Sequence, residues 1–391
     1  MTISGTSSQS LNRRLRLGMV GGGRGAFIGA VHRIAARLDD RWELVAGALS
    51  SDPGRARESG ADLLLPPDRI YGDFLEMARG EKHRDDRIDA VAIVTPNHAH
   101  APAARAFLDA GIHVICDKPL TTSRDEAEQL AKLADQSGLI FAVTHNYTGY
   151  PLVRQAREMV LAGELGQIRV VQVEYVQDWL ATRLEETGQK QAEWRTDPSR
   201  AGPAGSIGDI GTHAFNLAEF VSVQEVEDLA AELHTFVEGR PLDDNAHVLL
   251  RFASGARGML WCSQVAVGRE NGLRIRIYGE KGGLEWHQEN PNVLRFAPLG
   301  EPPRLITRNG PGSGAASRSA SRIPAGHPEG YLEGFAQLYS DIAEQIMARM
   351  EGREPYPLSL QVPTVEQGIR GVRFIEAAVR SSKEGAAWTP I

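Results

Sequence analysis

The stretch LRLGMVGGGRGAFIG at residues 15–29 decides the fold of this 391-residue chain. Its first six residues are rich in apolar side chains, which is typical of a buried parallel strand, and three glycines follow at positions 21–23. An apolar stretch that can form a helix then extends to about position 38. A strand, a glycine turn and a helix in this order are typical of the first unit of a dinucleotide-binding fold.

Gly21, Gly23 and Ala26 fit the pattern G-x-G-x-x-G/A. Gly21 permits a tight turn, Gly23 lets the backbone approach a pyrophosphate, and the small Ala26 lets the helix pack close to the strand. The amides that begin the helix, near Phe27 and Ile28, would then face the phosphates. An ordinary glycine-rich turn is the alternative interpretation, and the segments that follow favour the cofactor.

The composition is that of a globular chain, with 42% hydrophobic and 24% charged residues and enough length for two or three domains. The net charge of −7 and the lack of a long basic run argue against nucleic acid or an anionic membrane as a partner. No apolar stretch reaches the roughly 18 residues of a membrane-spanning helix.

The first residues, MTISGTSSQSLNRR, have no apolar centre, so residues 1–13 are expected to form a flexible tail rather than a secretory signal. We therefore expect a cytoplasmic protein. Cys116 and Cys262 lie in apolar, strand-like runs. Two buried thiols are expected there rather than a disulfide.

Strand-like runs alternate with helix-like runs as far as residue 148. This alternation predicts an α/β fold with a doubly wound parallel Rossmann sheet over residues 14–148. The polar clusters TPNHAH (95–100), DKPL (117–120) and HNY (145–147) each follow a predicted strand. Ligands bind at the carboxyl ends of such strands, so these clusters are expected to border the binding cleft.

The residues expected to bind the cofactor share a position in the glycine loop or directly after a strand. They are Gly21, Gly23, Arg24, Ala26, Phe27, Ile28, Ser50, Ser51, Arg55, Thr95, Pro96, Asn97, His100, Asp117, Lys118 and Asn146.

The end of the second strand, where the adenosine ribose binds in this fold, carries Ser50 and Ser51 rather than an acidic residue. Arg24 and Arg55 lie close to it in the pattern. Hydroxyls and guanidinium groups can accept a 2′-phosphate, so the cofactor is expected to be NAD or NADP. Asp52, followed by Pro53, predicts the cap of the next helix.

From residue 149 the pattern changes to short strand-like runs joined by polar or glycine turns. We expect residues 149–391 to form an α+β domain with a large open, mostly antiparallel sheet that binds substrate. Its uncovered face predicts a homodimer or homotetramer. Residues 310–321, GPGSGAASRSAS, are expected to be a flexible loop, and a helix at about 364–381 is expected to pack near the first domain.

Lys118 follows a buried strand and precedes Pro119, which restrains its backbone. A lysine at this edge can reach both a nicotinamide ribose and a substrate hydroxyl, which suits it to proton transfer. The alternative is an ordinary surface lysine.

Asp209 and His213, in GDIGTHAFNL, are four residues apart and would share one face of a helix. Asp209 could then orient the imidazole, and His213 could accept a hydroxyl proton. An aspartate helix cap beside a satisfied buried histidine is the alternative. No further ligands accompany the pair, so no metal is expected.

Arg195, beside Trp194, could bind vicinal hydroxyls or a carboxylate, and the tryptophan could stack on a sugar face. Tyr147 and Tyr175 are weaker candidates for the same pocket. The alternative is that Arg195 forms a salt bridge at the rim and Trp194 packs in the core. The expected substrate-binding residues are Lys118, Tyr147, Tyr175, Arg195, Asp209 and His213.

The motifs GGGRGA, TPNHAH, DKP, GELGQI and WR-DP-AG-GDIGTHAFNL occur in a specific order over residues 14–220. In this order the chain resembles the glucose–fructose oxidoreductase, inositol dehydrogenase and rhizopine-catabolism family, Gfo/Idh/MocA. The resemblance implies hydride transfer between a nicotinamide and a ring carbon of a sugar or cyclitol. It places the family's catalytic lysine at Lys118 and its Asp/His pair at Asp209 and His213.

Three features depart from that family pattern. Asp117 replaces the commoner glutamate, and Ser50 stands where NAD-specific members often carry aspartate. The glycine loop also continues through Gly25 and Gly29. The expected activity is oxidation of a ring secondary alcohol in a sugar, glycoside or cyclitol. Two alternatives remain open from the sequence, a redox-neutral NAD-dependent glycoside hydrolase and a non-catalytic sensor of dinucleotide or sugar.

Overall fold

The computed structural model describes residues 13–391, and two β-sheets organise them. The first sheet is wholly parallel and has the strand order β2-β1-β3-β4-β5. Its strands are β1 (Leu15–Gly21), β2 (Trp42–Ala48), β3 (Ala90–Val94), β4 (His113–Cys116) and β5 (Phe141–Val143). The predicted doubly wound Rossmann sheet is confirmed.

Helices cover both faces of this sheet, because its central strands are apolar on both sides. All five residues of β3 are buried. The helices that follow the strands are α1 (Phe27–Leu38), α2 (Pro53–Asp62), α3 (Phe74–Lys82), α4 (His100–Asp109) and α5 (Arg124–Ser137). Helix α2 begins as predicted, since the Asp52 carboxylate accepts a hydrogen bond from the Arg55 amide at 2.7 Å and Pro53 occupies the first turn.

The second sheet has nine strands in the order β13-β12-β11-β10-β6-β9-β8-β7-β14. Every pairing in it is antiparallel except that of β6 with β9. The strands are β6 (Ile168–Val176), β7 (Val226–His234), β8 (Asn245–Phe252), β9 (Arg257–Ser263), β10 (Gly272–Gly279), β11 (Gly282–His287), β12 (Val293–Pro298), β13 (Arg304–Thr307) and β14 (Thr389–Pro390). The expected large, mostly antiparallel sheet is confirmed.

One face of the second sheet packs against helices α6 (Pro151–Leu161) and α9 (Thr212–Ser222). Successive side chains of a strand point to opposite faces of the sheet. Every second side chain therefore lies on the other face, outside this core. On that face Leu249, Met259 and Tyr278 are exposed. Between α6 and α9 the chain forms two short helices, α7 (Lys190–Arg195) and α8 (Pro198–Ala201).

The prediction of a flexible loop at residues 310–321 is wrong, because this segment contains helix α10 (Ala315–Ser319). The Glu158 carboxylate on α6 accepts hydrogen bonds from the amides of Ala315 and Ala316, at 3.1 and 3.2 Å. These bonds satisfy the first N–H groups of α10. The glycine- and serine-rich composition gave no sign of this partner, which lies far away in the sequence.

Residues 1–12 of the predicted tail lie outside the described residues. The last residue assigned to that tail, Arg13, is tied to the first sheet, since its guanidinium forms hydrogen bonds of 2.6 and 2.9 Å with both carboxylate oxygens of Asp89. Within residues 13–391, no helix has both the length and the apolar character needed to cross a membrane.

The last two long helices connect the second half of the chain to the first sheet. Helix α11 (Tyr331–Glu351) packs on α1, and its Tyr339 carbonyl accepts a hydrogen bond of 2.9 Å from the indole of Trp42. Helix α12 (Val365–Lys383) lies between α5 of the first half and β7 of the second. The two sheets are therefore held around one cleft.

Candidate active site

A cleft of about 1040 Å³ lies between the carboxyl ends of the first sheet and the second sheet. It is bordered by all six residues expected to bind substrate and by every residue expected to bind the cofactor except His100. Residues from position 21 to position 213 of the sequence thus meet in one space, as the position of the strand ends predicts.

The glycine loop at the start of α1 is tightly packed. Gly21 and Gly22 have positive φ angles of +76° and +71°, a region that favours glycine. A Cβ on Gly23 would lie 2.6 Å from the Leu49 carbonyl oxygen at the end of β2. The need for glycine at position 23 therefore comes from contact with β2 as well as from any phosphate.

The close approach of α1 to β1 occurs at Gly29, not at Ala26 as predicted. A Cβ on Gly29 would lie only 2.4 Å from the Cα of Gly22. Ala26 instead precedes the first turn of α1, which has neither a side-chain cap nor an acidic residue. Phe27 and Ile28 of that turn border the cleft, where the fold can bind an anion.

Three buried polar atoms on the cleft wall have no hydrogen-bond partner among residues 13–391. They are Thr95 Oγ1, Asn146 Nδ2 and His213 Nδ1. Buried donors and acceptors are almost always paired, so such atoms mark places where a ligand supplies the partner. Together with the glycine loop, they fit a bound dinucleotide and a polar substrate.

His100 is the exception among the predicted cofactor residues, and that prediction is corrected. Its ring is fully buried, with Nδ1 2.8 Å from the Pro119 carbonyl oxygen and Nε2 3.0 Å from that of Thr95. It lies outside the cleft lining and ties the turn after β4 to the end of β3. The peptide bond between Lys118 and Pro119 in that turn is cis.

Lys118 and Asp209 come from different halves of the chain and meet in the cleft. The Lys118 ammonium donates hydrogen bonds to Asp209 Oδ1, at 2.9 Å, and to the backbone carbonyl of Asp209. The second carboxylate oxygen accepts from Arg195 Nε at 3.1 Å and from Gln264 Nε2 at 2.9 Å. Asp209 is therefore the centre of a charged network.

Burial alone would raise the pKa of the Asp209 carboxyl. The positive charges of Lys118 and Arg195 and the hydrogen bond from Lys118 outweigh it and hold this pKa well below its usual value. Asp209 thus stays ionised at neutral pH and fixes the position of the Lys118 ammonium.

The local backbone explains why Asp209 does not bind His213. Residues Ile207–Gly211 form a π-helical turn before α9 begins, so residues four apart are no longer aligned as they are in an α-helix. The predicted hydrogen bond between Asp209 and the imidazole is therefore corrected. The carboxylate points to Lys118 and Arg195 instead.

His213 lies against three aromatic rings. Its ring centroid is 5.0 Å from that of Tyr147, 5.6 Å from that of His145 and 6.1 Å from that of Tyr175. Burial, and then the positive charge of Lys118, hold the pKa of His213 well below its usual value. The imidazole is neutral at physiological pH and retains an acceptor nitrogen.

A chain of hydroxyl and amide groups extends along the cleft wall from the two tyrosines beside His213. The Tyr147 and Tyr175 hydroxyls are 2.6 Å apart, and Tyr175 donates to Asn271 Oδ1 at 2.7 Å. Gln177 Nε2 donates to the same oxygen at 2.8 Å. Burial raises the pKa of Tyr147 to about 12, so its phenol is protonated at neutral pH and donates its one proton to Tyr175.

Arg195 is held in place on the rim of the cleft. Its guanidinium lies 4.2 Å from the ring centroid of Trp194 and donates to Gln191 Oε1 at 2.7 Å, besides its bond to Asp209. Trp179 stands on its other side at 5.9 Å. The tryptophan face that was expected to stack on a sugar is thus partly used by the arginine.

Sequence reasoning missed Gln264 and Asn271 as members of the site. Gln264 directly follows β9 and Asn271 directly precedes β10, so both lie at strand ends of the second sheet. The rule that polar residues at strand ends border the cleft could have found them, had the strand bounds of the second half been sharper. Among residues 13–391, no cluster of three or more metal-ligating side chains occurs.

Comparison with known proteins agrees with this architecture. Residues 15–145 match the model of the oxidoreductase family with an NAD-binding Rossmann fold, and residues 153–285 match that of the GFO/IDH/MocA C-terminal domain. An oxidoreductase structure from Sinorhizobium meliloti is 57% identical, covers 96% of this chain and 99% of its own, and has a TM-score of 0.88.

A second structure, of an inositol dehydrogenase homologue from Azotobacter vinelandii complexed with NAD⁺, is 38% identical. It covers 97% of this chain and 98% of its own, with a TM-score of 0.93. A further structure of that homologue contains NADH and myo-inositol. The levoglucosan dehydrogenase of Pseudarthrobacter phenanthrenivorans is 29% identical over 73% of this chain and 76% of its own.

The fold and the family matches define an NAD-binding oxidoreductase. The chain belongs to the Gfo/Idh/MocA family, as the order of its motifs predicted.

Proposed function

We propose that this protein is an NAD(P)-dependent dehydrogenase that oxidises a ring secondary alcohol of a sugar, glycoside or cyclitol. The observation that carries the proposal is the meeting of Lys118, Asp209 and His213 in the cleft that the glycine loop also borders. A bound nicotinamide would supply the hydride acceptor, and the glycine loop, Thr95 and Asn146 would hold it.

In this proposal Lys118 and His213 together move the hydroxyl proton. The neutral imidazole of His213 has an acceptor nitrogen for it, and the Lys118 ammonium can stabilise the negative charge that develops on the substrate oxygen. Asp209 fixes the ammonium through its 2.9 Å hydrogen bond. Arg195 and the Tyr147–Tyr175 pair would bind neighbouring hydroxyls.

The substrate class is supported by the character of the cleft and by the relatives. The wall beside His213 carries phenol and amide groups of the kind that bind vicinal hydroxyls. The Azotobacter homologue holds myo-inositol, and another relative is named for levoglucosan. A polyhydroxylated ring is the ligand that these observations have in common.

For the cofactor, we propose that both NAD and NADP bind, one per subunit. Ser50, Ser51 and Arg55 border the cleft where the fold places the adenosine ribose. No carboxylate directly after β2 is available to bind the ribose 2′-hydroxyl, since Asp52 is committed to the cap of α2.

The test is a screen of sugars, cyclitols and aryl glycosides with NAD⁺ and NADP⁺, followed both by absorbance of the reduced nicotinamide and by mass detection. A dehydrogenase forms reduced cofactor in proportion to a keto product. Aglycone release with no net reduction would contradict the proposal in favour of a redox-neutral hydrolase. Tight dinucleotide binding without turnover of any ring alcohol would favour a sensor.

We further propose a cytoplasmic homodimer or homotetramer. Cys116 and Cys262 are buried free thiols, as suits a reducing compartment. Leu249, Met259 and Tyr278 are exposed on the uncovered face of the second sheet, which a second copy of the chain would bury.

A further inference from the structure

We propose that two carboxylates on α2, Glu58 and Asp62, are positioning residues that restrain Arg24 and thereby favour NAD over NADP. This inference rests on the proposed function, because it concerns the same cofactor cleft. It names residues that neither bind the dinucleotide nor line the cleft.

Arg24 stands at the adenosine end of the cleft. Its amide donates to Ser59 Oγ on α2 at 3.1 Å, and the preceding Gly23 amide donates to the Leu49 carbonyl oxygen at 3.2 Å. Arg24 also borders the cleft together with Ser50, Ser51 and Arg55. The ribose 2′-position lies at the end of β2 in this fold, so the guanidinium of Arg24 is within the neighbourhood of a 2′-phosphate.

The guanidinium is nevertheless turned to α2 and forms three hydrogen bonds there. Its Nη1 donates to Glu58 at 2.5 Å, while Nε and Nη2 donate to the two oxygens of Asp62 at 2.5 and 2.8 Å. Asp62 thus occupies the paired donors with which an arginine would bind a phosphate. By contrast, Arg55 forms no ion pair within residues 13–391.

The two carboxylates act on NADP in two ways. To bind a 2′-phosphate through Arg24, the protein must break bonds that NAD leaves intact. A 2′-phosphate also carries a charge near −2 at neutral pH, and two carboxylates beside it repel it. Both effects disappear for the uncharged 2′-hydroxyl of NAD, so they separate the two cofactors without weakening NAD.

The experiment measures the affinities for NADH and NADPH by nicotinamide fluorescence in the wild-type protein and in Glu58→Gln/Asp62→Asn. We expect the double variant to bind NADPH about tenfold more tightly, the usual effect of one charge-assisted hydrogen bond gained, and to bind NADH within twofold of wild type. Adding Arg24→Gln to the double variant should remove the gain in NADPH affinity that the freed guanidinium provides.

The matched control is Glu43→Gln. Glu43 is exposed at the opposite end of β2, about 20 Å away at the usual rise per strand residue, so this variant removes a carboxylate of the same unit far from the ribose. Its NADPH to NADH ratio should stay unchanged.

An unchanged ratio in the double variant would overturn the inference, with NADH binding as evidence that the variant is folded. A gain in NADPH affinity that persists in full after Arg24→Gln would also overturn it, because the restraint on Arg24 would then contribute nothing. A wild-type protein that binds neither dinucleotide would overturn the proposed function, and this inference with it.

Discussion

At the scale of single residues, the cleft is governed by charge. Three groups, the Lys118 ammonium, the Arg195 guanidinium and the Gln264 amide, converge on one carboxylate, and the neighbouring imidazole is left neutral. In the proposed function, this division of charge gives Lys118 the role of stabilising negative charge and His213 the role of accepting the proton. The sequence pattern alone assigned both roles jointly to the two residues.

Lys118→Ala and His213→Ala should each lower kcat/KM on the order of 10²-fold, the usual scale for a positioned acid–base group. The double variant should lose less than the product of the two losses, because both groups serve one proton. NADH affinity should survive both changes, apart from a modest loss at Lys118. Lys132→Ala, at an exposed position of α5, is the matched control. Near-wild-type turnover in both single variants would refute the site.

The burial of His145 leads to a second prediction, which concerns how the free energy of unfolding depends on pH. Burial, and then the charge of Lys118, lower its pKa to about 3, so the folded state keeps it neutral while the unfolded chain protonates it below about pH 6.5. The part of the free energy of unfolding that depends on neutral His145 is fully present above pH 6.5. It decreases as the pH falls, by about 2 kcal/mol at pH 5.

His145→Leu should therefore flatten the fall in free energy of unfolding between pH 7 and pH 5, measured by chemical denaturation at each pH. The control is His83→Gln, since His83 is exposed. An equally steep fall in the His145 variant would show that the histidine is accessible to protons in the folded state.

At the scale of elements, sequence and structure agree best where a strand is buried on both faces. Strands β3 and β4 end directly before the polar clusters 95–100 and 117–120, as predicted, because uninterrupted apolar runs leave one interpretation. The ends of the strands in the second half are harder to predict, since alternating strands end gradually in polar turns. The π-turn at Ile207–Gly211 could not be predicted, because its sequence is compatible with an ordinary helix.

The glycine loop gives the prediction at this scale. Gly23→Val should weaken NADH binding at least tenfold, because its side chain meets the Leu49 carbonyl and must displace the loop from β2. Calorimetric titration with NADH measures the loss. Gly371→Ala is the control, since a Cβ there has nothing within 4 Å. Unchanged affinity in a folded Gly23→Val protein would contradict the assigned phosphate loop.

At the scale of the whole molecule, the uncovered sheet face predicts self-association. Light scattering at micromolar concentration should give a mass of two or four chains. Leu249→Glu, at an exposed position of β8, should shift the protein toward the monomer by placing a charge in the interface. Leu161→Glu, exposed at the end of α6, is the control. A wild-type monomer would contradict the proposal.

The return of α11 and α12 to the first sheet has a consequence for modularity. A fragment that stops at residue 148 would lack α11, which covers α1, and α12, whose Val365, Ile369 and Val372 belong to the core of the first sheet. Chimaeras between relatives should therefore take the nucleotide-binding half and residues 331–383 from the same parent. A single crossover in the middle of the gene would combine helices and sheets from two parents that did not evolve to fit each other.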